Sequence, residues 1–263
     1  MTAARWLLVS LLGCAGCSKP DAGPRRTEPW LAQPSANASA NAVSGPVSFH
    51  FTPESRIRFS VPGKKAKVSG RVALAQGSMR FDPRDLKTAS ANIDVDLTTV
   101  SIDADTVPEN APLAGSSPSA LALQWLELGR DVAPERRREV GVARFELSSV
   151  ESSRPPGLDL SAPKARSHAR VSVVGTLLIH GFRAPVRCDV VLSALEVAPG
   201  APSRVSIRSQ GPLVIALAPH DISARGPAGI ADALSMARSA EWVGKNARVE
   251  LELVAEANGH ASN

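Results

Sequence analysis

Alternation of apolar and polar residues is the dominant pattern along most of the chain. Around position 59, Ile57, Phe59 and Val61 fall on one face, and polar side chains fall on the other. The same period of two returns at 68–74, 93–97, 143–147, 171–179, 186–192, 205–207, 213–217 and 249–253. This period is typical of β-strands with one buried face. Many such strands and few long helices predict an antiparallel all-β barrel or sandwich.

Carboxylates occupy the positions between the apolar residues in two of these segments. Asp94 and Asp96 alternate with apolar residues in one, and Glu250 and Glu252 do so in another. A strand with one buried face presents its other face to water. We therefore expect all four side chains to lie on a solvated outer wall.

Two segments depart from the period of two. Leu121, Trp125 and Leu128 recur at helical spacing within 119–128, which predicts one short helix packed on the barrel. The segment 228–242 mixes apolar residues with small ones. It predicts a second short helix, or a cap across one end of the barrel.

The first 16 residues have the character of an export signal. Their apolar run is far shorter than the roughly 20 residues that cross a bilayer as a helix. The small residues that follow resemble a lipobox ending at Cys17, with Cys14 as the competing position. We expect Cys17 to be acylated, which would anchor the protein to a membrane. Cleavage after a small residue such as Ala15, which would release a soluble protein, is the alternative.

The segment 17–45 is rich in Pro, Ala, Ser and Asn and has no apolar periodicity. This composition predicts a lipidated, flexible tether. Residues 46–258 are long enough for a single all-β core, and 259–263 form a tail. The expected location is the cell envelope, on the periplasmic face of a membrane, with the outer membrane favoured.

The overall composition is that of an ordinary globular protein, with 43% hydrophobic and 21% charged residues. A net charge of +5 does not indicate nucleic acid as a partner, because the basic residues are dispersed and are not interleaved with aromatic ones. The arginine run 136–138 has a glutamate on each side. That arrangement predicts a solvated turn rather than a binding patch.

Candidate chemistry is sparse along the chain. The sequence contains no Gly-x-Ser-x-Gly elbow, no glycine-rich phosphate loop and no zinc-type spacing. His180 and His220 fall at the ends of predicted strands, where loop or capping roles are expected. Cys188 lies on the apolar face of 186–192, which predicts a small buried hydrophobe rather than a reactive thiol. We expect neither catalysis nor a cofactor.

Several segments resemble YceI-type domains. The segment 51–59 is similar to their opening Pro-x-x-Ser-x-Ile-x-Phe strand. The segment 175–186 is similar to their Gly-x-Leu-x-x-x-Gly-x-x-x-Pro-Val hairpin, in which the glycines and the proline shape a tight turn. The segment 243–251 is similar to their last strand. The usual Arg-Asp-x-His-Leu is absent between 105 and 125, and the usual Arg-x-Asp-Phe-Gly is replaced around 224–226, so ligand contacts there are not carried over.

This resemblance implies an extended lipocalin-like antiparallel β-barrel with one or two short helices. Its interior would hold an isoprenoid or other long-chain lipid without catalysis. Alternation places the candidate interior residues at Ile57, Phe59, Val72, Leu74, Val173, Leu177 and Ile215. One alternative is a barrel filled by its own side chains, acting as a structural or protein-interaction module, because the bore depends on strand number and shear. Another is an envelope hydrolase, which would need converging histidines and carboxylates in a polar cleft.

Overall fold

The computed structural model describes residues 45–64, 67–107, 117–154, 160, 168–198, 201–223 and 244–258. Within these residues the chain forms one sheet of ten strands and two short α-helices. The strands are β1 (Val47–Phe51), β2 (Arg56–Pro62), β3 (Lys67–Asp82), β4 (Asp85–Ile102), β5 (Val142–Arg154), β6 (His168–Ile179), β7 (Phe182–Ala198), β8 (Ala201–Ser209), β9 (Leu213–Ala216) and β10 (Asn246–Ala257). The helices are α1 (Pro118–Trp125) and α2 (Pro134–Val140).

Several sequence predictions lie outside the described residues. These are the export signal 1–16, the acylation site Cys17, almost all of the tether 17–45, the helix predicted for 228–242 and the tail 259–263. In the part of the chain that the structure describes, no helix has the length and apolar character needed to traverse a bilayer.

Eight strands close into a ring in the order β2, β3, β4, β5, β6, β7, β8, β10, and β10 pairs back onto β2. All of the pairings are antiparallel. The strand β1 continues the line of β2, since it too pairs with β3 and β10. The strand β9 likewise continues the line of β8 beside β10. The antiparallel barrel predicted from alternation is therefore confirmed.

A register shift in β3 changes which of its residues face inward. The first half of the strand presents Val72 to the interior, whereas the second half presents Met79 and Phe81. The shift lies between Leu74 and Gln76 in the pairing with β4. Because strand side chains alternate with a period of two, one extra residue exchanges the two faces.

Apolar side chains form two buried clusters, one toward each end of the barrel. The first cluster contains Phe49, Phe81 and Leu160, and the second contains Leu128 and Val140. The two are linked by partly buried residues that pack against both: Val72, Val95, Leu213 and Val249. Both helices contribute to the second cluster, α2 through the fully buried Val140 and α1 through the partly buried Leu123.

The β6–β7 hairpin has the tight turn that the sequence predicts. Its two central residues, His180 and Gly181, have φ angles of 53° and 83°. Positive φ at both positions is what a two-residue type I′ turn requires. In the preceding strand, a Cβ at Gly175 would overlap the ring of Phe145. Glycine there lets the ring of the neighbouring strand lie against the backbone.

The helix predicted for 119–128 is confirmed as α1, whereas the turn predicted for 136–138 is wrong. Those arginines lie in α2, where Pro134 occupies the first turn and Val140 is fully buried. A proline at the start and arginines in the last turn both favour a helix, the latter through its dipole. Arg136 also bridges Glu127 and Glu139, at 2.7 and 3.0 Å.

The prediction of a solvated Asp94 is also wrong, since only 6% of this residue is exposed. The guanidinium of Arg144 donates to both carboxylate oxygens of Asp94, at 2.7 and 3.0 Å, and Gln76 donates at 3.0 Å. These side chains come from neighbouring strands and cover the carboxylate on the outer wall. The hydrogen bonds from Arg144 hold the pKa of Asp94 below its ordinary value, although burial opposes them.

Candidate functional site

The interior of the barrel contains a cavity of about 390 Å³. Inward-facing side chains of the ten strands and of α1 form most of its wall, and these are apolar. Arg80 and Ser90 also border it, but both residues are exposed and alternate with inward-facing neighbours such as Met79 and Phe81. The volume falls in the range of small-molecule sites, which is about 300 to 1,000 Å³.

Six of the seven residues predicted to face the interior border this cavity. They are Ile57, Phe59, Val72, Val173, Leu177 and Ile215. The seventh, Leu74, is not among the lining residues but is partly buried against the first cluster. It directly precedes the register shift in β3, where the regular alternation ends. Contact of these residues with a ligand stays a prediction.

The helix α1 borders the cavity, a role that the sequence did not predict for it. Pro118, Leu121 and Trp125 line the cavity, yet no residue of α1 is fully buried. The backbone amide of Ile102 donates to Ser119 Oγ at 3.0 Å, which fixes the start of the helix against the end of β4. The spacing of Leu121 and Trp125 is one helical turn, and it is the sequence signal that marks this face.

The opposite end of the barrel is closed by tightly packed side chains. The rings of Phe49 and Phe81 stack with centroids 4.9 Å apart and planes within 5° of parallel. Leu160 is fully buried beside them, and its backbone amide donates to the carbonyl oxygen of Pro83 at 3.1 Å. Phe81 borders the cavity and Phe49 does not, so the stacked pair stands between the cavity and the outside at this end.

Cys188 is buried on the cavity wall, with 9% of the residue exposed. The prediction of a small buried hydrophobe is confirmed, and its position beside the cavity is an addition to that prediction. Burial raises the pKa of the Cys188 thiol, and the charge of Asp189 adds to the effect. The thiolate is therefore disfavoured at this position.

Polar groups contribute little to the cavity. His180 lies in the β6–β7 turn and His220 ends a short 3-10 helix after β9; both are buried, but neither is among the lining residues. Across the described ranges, no three histidine, cysteine or carboxylate side chains come together as a metal site would require. The cavity offers a ligand mainly dispersion contacts and removal of apolar surface from water.

The ring of strands and its apolar interior define a lipocalin-like barrel. The sequence matches no family model and no curated protein. Among solved structures, the fold is similar to that of a polyisoprenoid-binding domain from Saccharophagus degradans implicated in plant cell wall breakdown, at 16% identity and a TM-score of 0.50. That match covers 80% of this chain and 99% of the other. BcnA of Burkholderia cenocepacia is also similar, at 14% identity and a TM-score of 0.45, over 76% of this chain and 96% of the other.

At 16% identity the likeness to the Saccharophagus degradans domain establishes the fold alone. The predicted fold class, an all-β, extended antiparallel lipocalin-like barrel with one or two short helices, is thereby confirmed.

Proposed function

We propose that this barrel binds one extended apolar chain, such as that of a polyisoprenoid lipid, and holds it without catalysis. The observation that carries the proposal is the apolar cavity that reaches from Phe81 at the closed end to Trp125 of α1. The polyisoprenoid-binding activity named for the similar domain supports it. The open volume also argues against a barrel filled by its own side chains.

The shape of the cavity favours a single long chain over a compact ring system. Val68 and Phe81 both border the cavity on β3. At about 3.3 Å per residue, the strand between them spans about 43 Å. A typical barrel tilt of about 40° reduces this to about 33 Å along the axis. A volume of about 390 Å³ spread over that length is a narrow channel.

Apolar contact is sufficient for affinity in such a channel. Each buried methylene contributes about 0.8 kcal/mol, so about 20 of them contribute about 16 kcal/mol. The cost of association is roughly 4 to 15 kcal/mol. A long chain therefore binds without a polar contact inside the barrel, and selectivity follows its length and shape.

The proposal includes export and anchoring. The signal-like segment 1–16 and the small residues before Cys17 support a lipoprotein of the cell envelope, on the periplasmic face of a membrane. The composition of 17–45 supports a tether between this anchor and the barrel. A barrel held beside a bilayer would be close to a source of apolar chains.

Mass spectrometry of organic extracts tests the proposal on protein purified without detergent exchange. We expect a long-chain lipid at close to one molecule for each protein molecule. A matched extract of the Val173→Trp variant, whose added ring would occupy the cavity, should contain less of it. If the native protein yields no lipid and the delipidated protein binds no isoprenoid probe, the proposal is wrong.

A further inference from the structure

We infer that Phe81, supported from behind by Phe49, forms a stop that sets the longest chain the barrel can enclose. This inference rests on the proposed function, because it concerns the far end of the chain that the cavity would hold. It assigns to the stacked pair a role in ligand selection that is separate from general apolar contact.

The position of the two rings is what a stop requires. Phe81 borders the cavity with 2% of the residue exposed, and Phe49 lies behind it with none exposed. Their nearly parallel rings are 4.9 Å apart, so one supports the face of the other. They belong to adjacent paired strands, since Phe49 of β1 is opposite Met79 of β3. A chain tip that meets Phe81 therefore meets a supported surface.

The surroundings of the pair also resist displacement. Leu86 borders the cavity just beyond the β3–β4 turn and is 7% exposed. Leu160 packs in the same cluster and is tied by its backbone amide to the carbonyl of Pro83 in that turn. Densely packed interiors transmit force and yield little. The α1 end differs, because Pro118, Leu121 and Trp125 are only partly buried where they border the cavity.

A stop of this kind predicts a break, meaning a chain length beyond which affinity no longer increases. Each additional methylene raises affinity about four-fold while it is still buried. Once the tip reaches Phe81, further carbons stay outside the cavity and add little. The length at which the increase stops is therefore a measure of the distance from the α1 end to Phe81.

Substitutions at the closed end should move this break in opposite directions. Phe81→Ala should shift it toward longer chains by about four to six carbons, because the space left by a deleted ring is only partly refilled. Phe81→Leu is a milder variant that should shift it in the same direction by less. Ala91, which borders the cavity opposite Met79, provides the reverse test, since Ala91→Phe should shift the break toward shorter chains.

The control is Leu121→Ala, which alters the cavity at the α1 end. It should change the affinities for all chain lengths by a similar factor and leave the break in place. Circular dichroism shows which variants are folded, and Phe81→Leu and Ala91→Phe keep the test decisive if Phe81→Ala does not fold.

The experiment uses the delipidated full chain and two series of ligands, straight-chain primary alcohols that differ by one methylene and linear prenyl alcohols, with affinities from displacement of a fluorescent apolar probe. Opposite shifts in Phe81→Leu and Ala91→Phe support the stop. If the alcohols bind but the break stays at the same length in both variants, the stop is wrong and the proposed function stands. If neither the probe nor any alcohol binds the native protein, the proposed function itself fails.

Discussion

The buried carboxylate of Asp94 on the outer wall allows a direct test of how this wall is stabilised. The change Asp94→Asn removes the charge and nearly preserves the shape. It also places one amide N–H₂ against the guanidinium of Arg144, which has only donors to offer. At least one of the bonds at 2.7 and 3.0 Å is then lost, and the other becomes a weaker bond to a neutral acceptor.

A hydrogen bond to a charged group contributes roughly 1.5 to 3 kcal/mol to stability. The Arg144 side chain is 45% exposed, so hydrogen bonds to water replace part of the lost stabilisation. We therefore expect the free energy of unfolding to fall by about 1 to 2 kcal/mol at neutral pH. For a protein of this size, each kcal/mol lowers Tm by about 2 to 4 °C. Thermal unfolding should therefore show a decrease of about 2 to 8 °C.

The pH dependence gives the more specific result. Arg144 lowers the pKa of Asp94 in the folded protein. The ionised carboxylate therefore makes its full contribution to the free energy of unfolding above its unfolded pKa of about 3.9. It is lost as the pH falls through the lower, folded pKa. Because a protonated Asp94 resembles asparagine, the stability curves of the native protein and of Asp94→Asn should converge over that range.

The matched control is Glu146→Gln on the same wall. Glu146 faces Arg183 at 3.8 Å, and both side chains are well exposed, so the change should alter the free energy of unfolding by less than about 0.5 kcal/mol. Equal stability of Asp94→Asn and the native protein at neutral pH would refute the reasoning. A difference that persists undiminished below the folded pKa would refute it as well.

Three further predictions concern the cavity, the anchor and the buried thiol. Val173→Trp should weaken binding of an isoprenoid probe while the far-ultraviolet circular dichroism spectrum is retained, whereas Glu250→Gln on the outer face should bind as the native protein does. Cys17→Ala should lose palmitate labelling and membrane partition; persistent labelling would identify Cys14 as the acceptor. Cys188→Ser should lower the free energy of unfolding by about 1 to 3 kcal/mol in urea titration, through an imperfectly paired hydroxyl. Rapid reaction of native Cys188 with a thiol reagent would contradict its burial.

The strands could be predicted because the signal for them is local. A residue such as Val173 or Leu177 alternates with its own neighbours, and this alternation alone assigns it to the inner face. The tight β6–β7 turn is local in the same sense, since Gly181 adopts positive φ without steric cost. Six of the seven predicted interior positions border the cavity for this reason.

The features that could not be predicted depend on partners distant in the sequence. The apolar residues of β3 change from even to odd positions between Leu74 and Met79, but the point of the shift is set only by the pairing of β3 with β4. Asp94 is buried by Arg144, which is 50 positions away and reaches it only after β4 and β5 have paired. The helix α2, by contrast, has a local signal in the sequence, since Pro134 and the order of charges around it favour a helix. The prediction of a solvated turn gave more weight to the run of arginines.

The place of β10 in the ring has a consequence for the order of folding. This strand, the last that the structure describes, pairs with β1, β2, β8 and β9. The edges of β2 and β8 therefore have no neighbour on that side until residues 246–257 have been synthesised and docked. Contacts between residues so far apart form slowly, typically in milliseconds to seconds. During that interval the nascent chain presents two open edges able to pair with other chains, so dilution or a chaperone should raise the refolding yield more than added stability does.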